Sequence, residues 1–359
     1  MGGDRTMPQD RLISAFDRQA RACAVLGSPF MARLMTLLAE HWPETGPLNE
    51  TCADWPGDPG PSGASLPLRI AGGLHALVLQ GRDPELTAAY PPHDPEEDAL
   101  VSAILGALDR HRDFLIDWIT SPPQTNETGR SAVLIPTAHL LARRFGLPLT
   151  VSELGASGGL NLNFDRFALT AGTRTLGPAD PVITLSPDWT GEAPAPAQPV
   201  IADRRGVDLR PLDPRNPRDA LRLLAYLWPD QPARIARTRA VIAAHDAPVD
   251  AGDAIGWLDR RLRAAGSGTC HLVYTTIAWQ YFPADARARG QAMIEATGAR
   301  ADDRRPLAWF AMESDGTDDG AALTLRLWPG NERLDLGRAG YHGEWVRWEH
   351  REERRDGTG

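Results

Sequence analysis

The sequence predicts an α/β protein, a doubly wound and mostly parallel Rossmann-like sheet with an antiparallel last strand, preceded by a mainly helical N-terminal region. Three observations predict it. Up to about residue 146 the apolar residues recur at three and four spacing; from Leu147 short β-branched runs alternate with helical stretches; and the chain ends in strands with no helix between the last two. The division that follows is a helical region over 1–146 and a Rossmann-like domain over 147–359, with a Pro/Gly-rich insertion at about 170–199.

In the helical region Leu12, Ile13, Phe16, Ala20 and Cys23 share one face, and Phe30, Leu34, Leu37 and Leu38 another. A Pro/Gly-rich stretch over 43–67 interrupts the pattern, which resumes in LRIAGGLHALVLQ and again over 96–118. After Leu147, LPLTVSEL reads as a strand, GASGG as a turn and LNLNFDRF as the opening of a helix. VIADRRGVDL is a second strand, residues 220–227 and 232–245 are helical, and VDAGDA is a short strand with a turn. A helix over 257–264, the strand HLVYTTIAW and a helix over 284–297 come next; Pro283 opens the last of these and Gly298 stops it. PLAWFAME, AALTLRLW and EWVRWEH finish the chain as strands.

Composition closes several chemistries. All 38 basic residues among the 359 are Arg, with no Lys anywhere. A phosphate-binding loop of Walker type, a protein-kinase centre and a pyridoxal Schiff base each need a Lys and are excluded. A net charge of −9 with Arg spread along the chain predicts no nucleic-acid partner. Cys23, Cys52 and Cys270 lie far apart and the nine His show no HExxH, so no metal is expected, and reduced thiols suit a cytoplasmic protein. No apolar run approaches ~18 residues, and the N-terminus shows no leader pattern, so no membrane partner is expected.

The most informative segment is the turn from Glu153 to Asn161, placed where a strand gives way to the next element, at the edge of the sheet where open α/β folds bind ligands. It supports three readings. As a cofactor turn, Gly155, Ser157 and Gly159 are small enough for the main chain to approach a nucleotide-type ligand, and Glu153 ends the strand with a carboxylate. As a nucleophile elbow, residues 155–159 satisfy G-x-S-x-G with Ser157 as nucleophile, Asp315 or Asp318 as acid and His342 as base. As a plain turn, it binds nothing. The elbow lacks the strands that such hydrolases build upstream.

Two further acids favour the cofactor. Asp208 ends the second strand, where a carboxylate accepts ribose hydroxyls, although it follows Gly155 by 53 residues rather than the usual ~20. Asp253 follows the third strand and is placed either to meet an adenine amino group or to cap the next helix. Residues 124–130 form a polar run in which Asn126, Glu127 and Arg130 are candidates to close over a ligand, or else a helix entry capped by Thr128 or Ser131. After the fourth strand, Gln280 and Tyr281 beside Trp279 are candidates for contacting a small-molecule acceptor.

In this order the residues resemble the class I S-adenosylmethionine-dependent methyltransferases over roughly 147–350. The resemblance implies S-adenosylmethionine as cofactor, with Glu153, Gly155, Ser157 and Gly159 in the first motif, Asp208 at the ribose and Asp253 at the adenine. Ser157 departs from the family by standing in the middle glycine position. Over about 10–350 the chain also resembles a bacterial family of unknown function, DUF2332, through SPPQTNETGRS, the turn at 153–163, WPDQ at 228, WQYFP at 279, WPG at 328 and HGEW at 342. Methyl transfer to a small molecule is the activity expected; an α/β hydrolase using Ser157 and His342, and a non-catalytic nucleoside-binding protein, are the alternatives.

Overall fold

A computed structural model of the protein describes residues 8–264 and 266–351. They form two compact units, one of residues 1–125 with 216–239 and the other of 126–215 with 240–359. The residues at either end that bear on a leader or a tail lie outside the described ones.

The first unit is helical. Its helices α1 (Pro8–Val25), α2 (Pro29–His41), α3 (Pro47–Ala53), α4 (Leu66–Leu79), α5 (Pro84–Ala89), α6 (Glu97–Arg110) and α7 (Arg112–Ile119) surround one core that includes Phe16, Leu34, Ile70, Leu74 and Tyr90. The stretch over 43–67 is not irregular throughout, as the sequence suggests, because α3 lies inside it. Its Pro sits in the first turn of a helix, where a missing N–H costs nothing. α4 is apolar nearly all round, and 11 of its residues are buried.

The entry to α5 is held by Asp83, whose side chain is 1% exposed. It accepts the Leu86 N–H at 3.0 Å and a two-nitrogen contact from Arg110, with His111 Nε2 at 3.1 Å. Removing it strips a cap and leaves the Arg110 guanidinium only its more exposed partner Glu85. Asp83→Ala is therefore expected to lower unfolding free energy by about 2–3 kcal/mol, read from urea melts of the full chain. A loss under ~0.5 kcal/mol would mean that solvent replaces all these bonds.

The second unit begins with α8 (Ser131–Phe145), ended by Gly146 in the left-handed conformation at φ 63°. It continues with β1 (Leu149–Leu154), a short 3₁₀ helix (Leu160–Arg166), β2 (Phe167–Ala171), β3 (Arg174–Leu176), β4 (Ile183–Leu185), β5 (Asp188–Thr190) and β6 (Ile201–Asp208). α9 (Pro217–Ala225) and most of α10 (Pro232–Ala243), up to Arg239, belong to the first unit. The second unit resumes with β7 (Val249–Ala251), α11 (Ala254–Ala264), β8 (Cys270–Thr276), α12 (Ala284–Gly298), β9 (Leu307–Glu313), β10 (Ala321–Trp328), β11 (Glu332–Ala339) and β12 (Trp345–Trp348).

Nine strands form one sheet in the order β5-β12-β11-β10-β9-β8-β1-β6-β7. From β7 to β9 all pairings are parallel, so the five strands of this parallel part, β1, β6, β7, β8 and β9 in chain order, stand in the order 3-2-1-4-5 of a Rossmann-like sheet. β8 is buried along its whole length, as a central parallel strand must be, and β10 alternates as a half-covered antiparallel strand does. The fold class read from the sequence is observed.

Four details differ from the reading. The boundary between the units falls at 125/126, not at 146, and 216–239 joins the helical unit. α8 packs with β2, β3 and the 3₁₀ helix, which is why a helix that looks like the end of one region belongs to the next. LNLNFDRF does not open an α-helix: it makes seven residues of 3₁₀ helix kinked at Asn163 and passes straight into β2. The insertion is structured, supplying β2, β3 and β4 as a separate sheet and β5 as an edge strand beside β12. Finally, Glu332–Ala339 is a strand that the sequence reading passed over, because charged residues stand at most of its outward positions. No helix of the described residues is long and apolar enough to cross a membrane.

Candidate functional site

The turn after β1 leaves the carboxyl edge of the sheet beside the ends of β6 and β8. Gly155 and Ala156 both donate their N–H groups to Val207 O, at 2.9 and 3.0 Å, and Gly159 donates to Ala156 O at 2.7 Å. The Ser157 N–H goes to Asp208 Oδ2 at 2.9 Å, and the Leu160 N–H to Asn126 Oδ1 at 2.9 Å. Five main-chain donors are thus committed inside the protein. These five amides are taken up within the protein, and the short 3₁₀ helix offers little dipole to an anion.

The glycines are required by the protein's own packing. Gly155 has φ +74°, and a Cβ there would meet Ala278 Cβ at 2.6 Å; Gly159 has φ +70° and would meet Val249 Cγ2 at 2.6 Å. Ser157 holds a left-handed backbone at φ 52° without being glycine, and so does Ile277 after β8 at φ 54°. For a β-branched residue this is a costly conformation, and it stands beside the same edge.

Glu153 is 2% exposed, and its Oε2 has no hydrogen-bond partner. Burial pushes its carboxyl up to about 8; the Tyr274 hydroxyl on the neighbouring strand and the Arg130 guanidinium offset this in part, and Asp208 adds to it. Glu153 is therefore held mostly neutral at pH 7. Asp208 is half-buried, with Oδ2 on Ser157 and Oδ1 on the Arg210 N–H at 2.9 Å, so each oxygen keeps a lone pair.

Arg130 donates from Nε to Tyr341 O at 3.0 Å and from Nη1 to Thr276 O at 2.9 Å. It ties the end of β8 to the loop after β11 while the carboxylates of Glu127, Glu313 and Glu153 act on it electrostatically. Asn126 is buried and bonded to the turn, so it forms part of the wall and not a cover. Neither Thr128 nor Ser131 caps the helix entry: Glu127 receives the Gly129 N–H, and Ser131 Oγ donates to Asn161 Oδ1 at 2.8 Å.

Glu153, Asp208 and Arg130 thus come together, and Gln280 and Tyr281 stand at the same edge on a 3₁₀ turn (Trp279–Tyr281). Gln280 Oε1 accepts the Ser314 N–H at 3.1 Å, whereas Tyr281 is 74% exposed. Asp253 is exposed and accepts the Gly256 N–H at 2.7 Å, capping α11. Sequence reasoning missed Glu313, which ends β9 and whose carboxylate accepts the N–H groups of Ala278, Trp279 and Gln280 at 3.1, 3.0 and 3.4 Å. A signal was present, since PLAWFAME ends in an acid as LPLTVSEL nearly does.

The elbow fares poorly. No described residue before β1 is in a strand, and Asp315 is tied to Arg338 at 2.8 and 3.0 Å. A close Ser–His pair exists elsewhere, Ser152 Oγ to His271 Nε2 at 2.9 Å, but both are buried within the sheet and burial brings the imidazole down to about 3. It has no route to a substrate. Among the described residues no group of three or more His, Cys, Asp or Glu side chains is arranged to hold a metal ion.

One family model matches residues 13–348, that of an uncharacterized protein conserved in bacteria, DUF2332. The chain belongs to the DUF2332 family. The match covers both units of this DUF2332 protein, so the helical unit is as much a part of the family as the sheet. No curated protein and no solved structure matches the DUF2332 chain.

Proposed function

We propose that the protein is an S-adenosylmethionine-dependent methyltransferase acting on a small molecule. One observation carries the reading: Asp208, at the end of the second strand in a 3-2-1-4-5 sheet, is hydrogen-bonded to the glycine turn of the first strand and keeps lone pairs on both oxygens. Donor counting supports the choice of cofactor. The amides of Gly155, Ala156, Ser157 and Gly159 are committed and two further groups, Asp208 and Glu153, accept hydrogen bonds or tolerate positive charge. Such a set favours a ribose diol and cationic groups over a phosphate. When bound, S-adenosylmethionine supplies an electrophilic methyl on a sulfonium. Asp208 would hold the ribose hydroxyls, and the unpartnered Glu153 Oε2 would face positive charge. Gly155, Ser157 and Gly159 would bring the backbone close. Asp253, as a helix cap, is the least secured member of the series, and a cytoplasmic location suits its three buried free thiols.

Titration calorimetry of the full chain with S-adenosylmethionine and S-adenosylhomocysteine tests the reading. Micromolar binding of both, with ATP and NAD at least 100-fold weaker, is expected. No heat at high micromolar ligand overturns it. Gly155→Val is a poor control, because its side chain would collide with Ala278.

A further inference from the structure

Glu153 and Tyr274 stand side by side on β1 and β8, paired directly in the parallel register. Both are buried, and Glu153 Oε2 and the Tyr274 hydroxyl each lack a hydrogen-bond partner; the hydroxyl is near enough to act on the carboxyl but closes no bond. An ionised carboxylate is expensive to bury when no donor reaches one of its oxygens, so without a ligand Glu153 is the neutral acid. Burial holds the Tyr274 hydroxyl far above its ordinary value. Of the two, Glu153 is the group able to yield a proton.

What Oε2 lacks is a donor. Of the two cationic groups of S-adenosylmethionine, the ammonium has three N–H bonds to give and the sulfonium has none, so the ammonium is the one that answers this oxygen. A carboxylate set against it is paired, and the reason for Glu153 to stay protonated is gone. Resting on the proposed function, we propose that S-adenosylmethionine enters this site in exchange for a proton from Glu153. In that step the O–H bond of Glu153 breaks, its electron pair stays on the oxygen, and the proton passes to a base in solvent. At Glu153 itself one positive charge replaces another. The groups that act on the carboxyl through this exchange are Tyr274 on β8, Arg130 before α8 and Asp208 on β6.

The test is titration calorimetry of the full chain at pH 6.5, repeated in phosphate and in imidazole buffer, whose different ionisation enthalpies report the protons released. At that pH the ligand ammonium is intact, since α-amino groups lose their proton near ~8. S-adenosylmethionine and S-adenosylhomocysteine are each expected to release at least about 0.5 proton per chain. 5′-Methylthioadenosine, which keeps the nucleoside and lacks the ammonium, is expected to release none. From pH 6 to 7 the affinity for S-adenosylhomocysteine is expected to tighten at least about 3-fold. Binding with a smaller release, a flat pH profile, or equal release by 5′-methylthioadenosine overturns this inference and leaves the proposed function standing; no binding of either cofactor form sinks the proposed function. Glu153→Gln keeps an acceptor for the ammonium but has no proton to give, so it is expected to bind S-adenosylhomocysteine with the release and the pH dependence gone. Undiminished release in the folded variant assigns the proton elsewhere and overturns the role of Glu153. If the variant does not fold, the three ligands compared on wild type decide the matter alone.

Discussion

Asp208→Asn is expected to lower affinity for S-adenosylmethionine by about 100-fold while the protein stays folded. The reasoning is local. A carboxylate that accepts two ribose hydroxyls makes two charge-assisted bonds, each worth ~1.5–3 kcal/mol, and the amide retains one acceptor but presents an N–H₂ to the other hydroxyl. A net loss of about 3 kcal/mol is two decades in Kd. The same substitution also turns a donor toward either the Ser157 or the Arg210 N–H, both now satisfied by the carboxylate. A stability cost of about 1–2 kcal/mol therefore accompanies it. Calorimetry at a temperature well below the melting transition separates the two effects. Full affinity in a folded Asp208→Asn protein would falsify the ribose assignment.

The second large effect is one of pH. Glu153 is carried by burial from an ordinary 4.5 to about 8. Between those values the folded protein binds a proton that the unfolded chain releases, so stability falls as pH rises. This group's contribution is complete below about 4.5 and is lost as pH climbs through about 8. The slope from one such group approaches 1.4 kcal/mol per pH unit in the middle of the window. Glu153→Gln keeps a neutral, similar side chain and removes the titration. Between pH 5 and 8, the difference in urea midpoint between wild type and Glu153→Gln should drift steadily in favour of the variant. Parallel curves would mean that Glu153 is ionised in the folded protein at neutral pH.

Much of the architecture was legible because it follows from period and punctuation. β1 and β8 are short apolar β-branched runs, α12 has Pro before it and Gly at its end, and Asp208 closes a strand that starts and ends on β-branched residues, Ile201 and Val207. Errors fell where tertiary structure overrides local pattern. LNLNFDRF has helical spacing, but Asn163 pairs with His245 and Arg204 bonds Leu162 O, and these long-range bonds hold the segment in a kinked 3₁₀ form. The commitment of the turn's amides was illegible for the same kind of reason, since Val207 O and Asn126 Oδ1 reach them from 34 and more residues away. Glu313 was hidden because its partners are backbone donors in another loop, which leave no trace in side-chain pattern.

The way the helical unit is drawn from two stretches of chain has a consequence for biosynthesis. Its first 125 residues leave the ribosome well before Asn216–Arg239, whose last residue follows 114 residues later. At ~5–20 residues per second that is a wait of roughly 6–23 s during which α4 has neither α9 nor its share of Trp228 to cover it. The nascent helices spend that interval with apolar surface showing, and the interrupted sheet is already under construction behind them. Shortened chains that stop before residue 239 should thus be chaperone-bound or aggregated, however complete their N-terminal helices look.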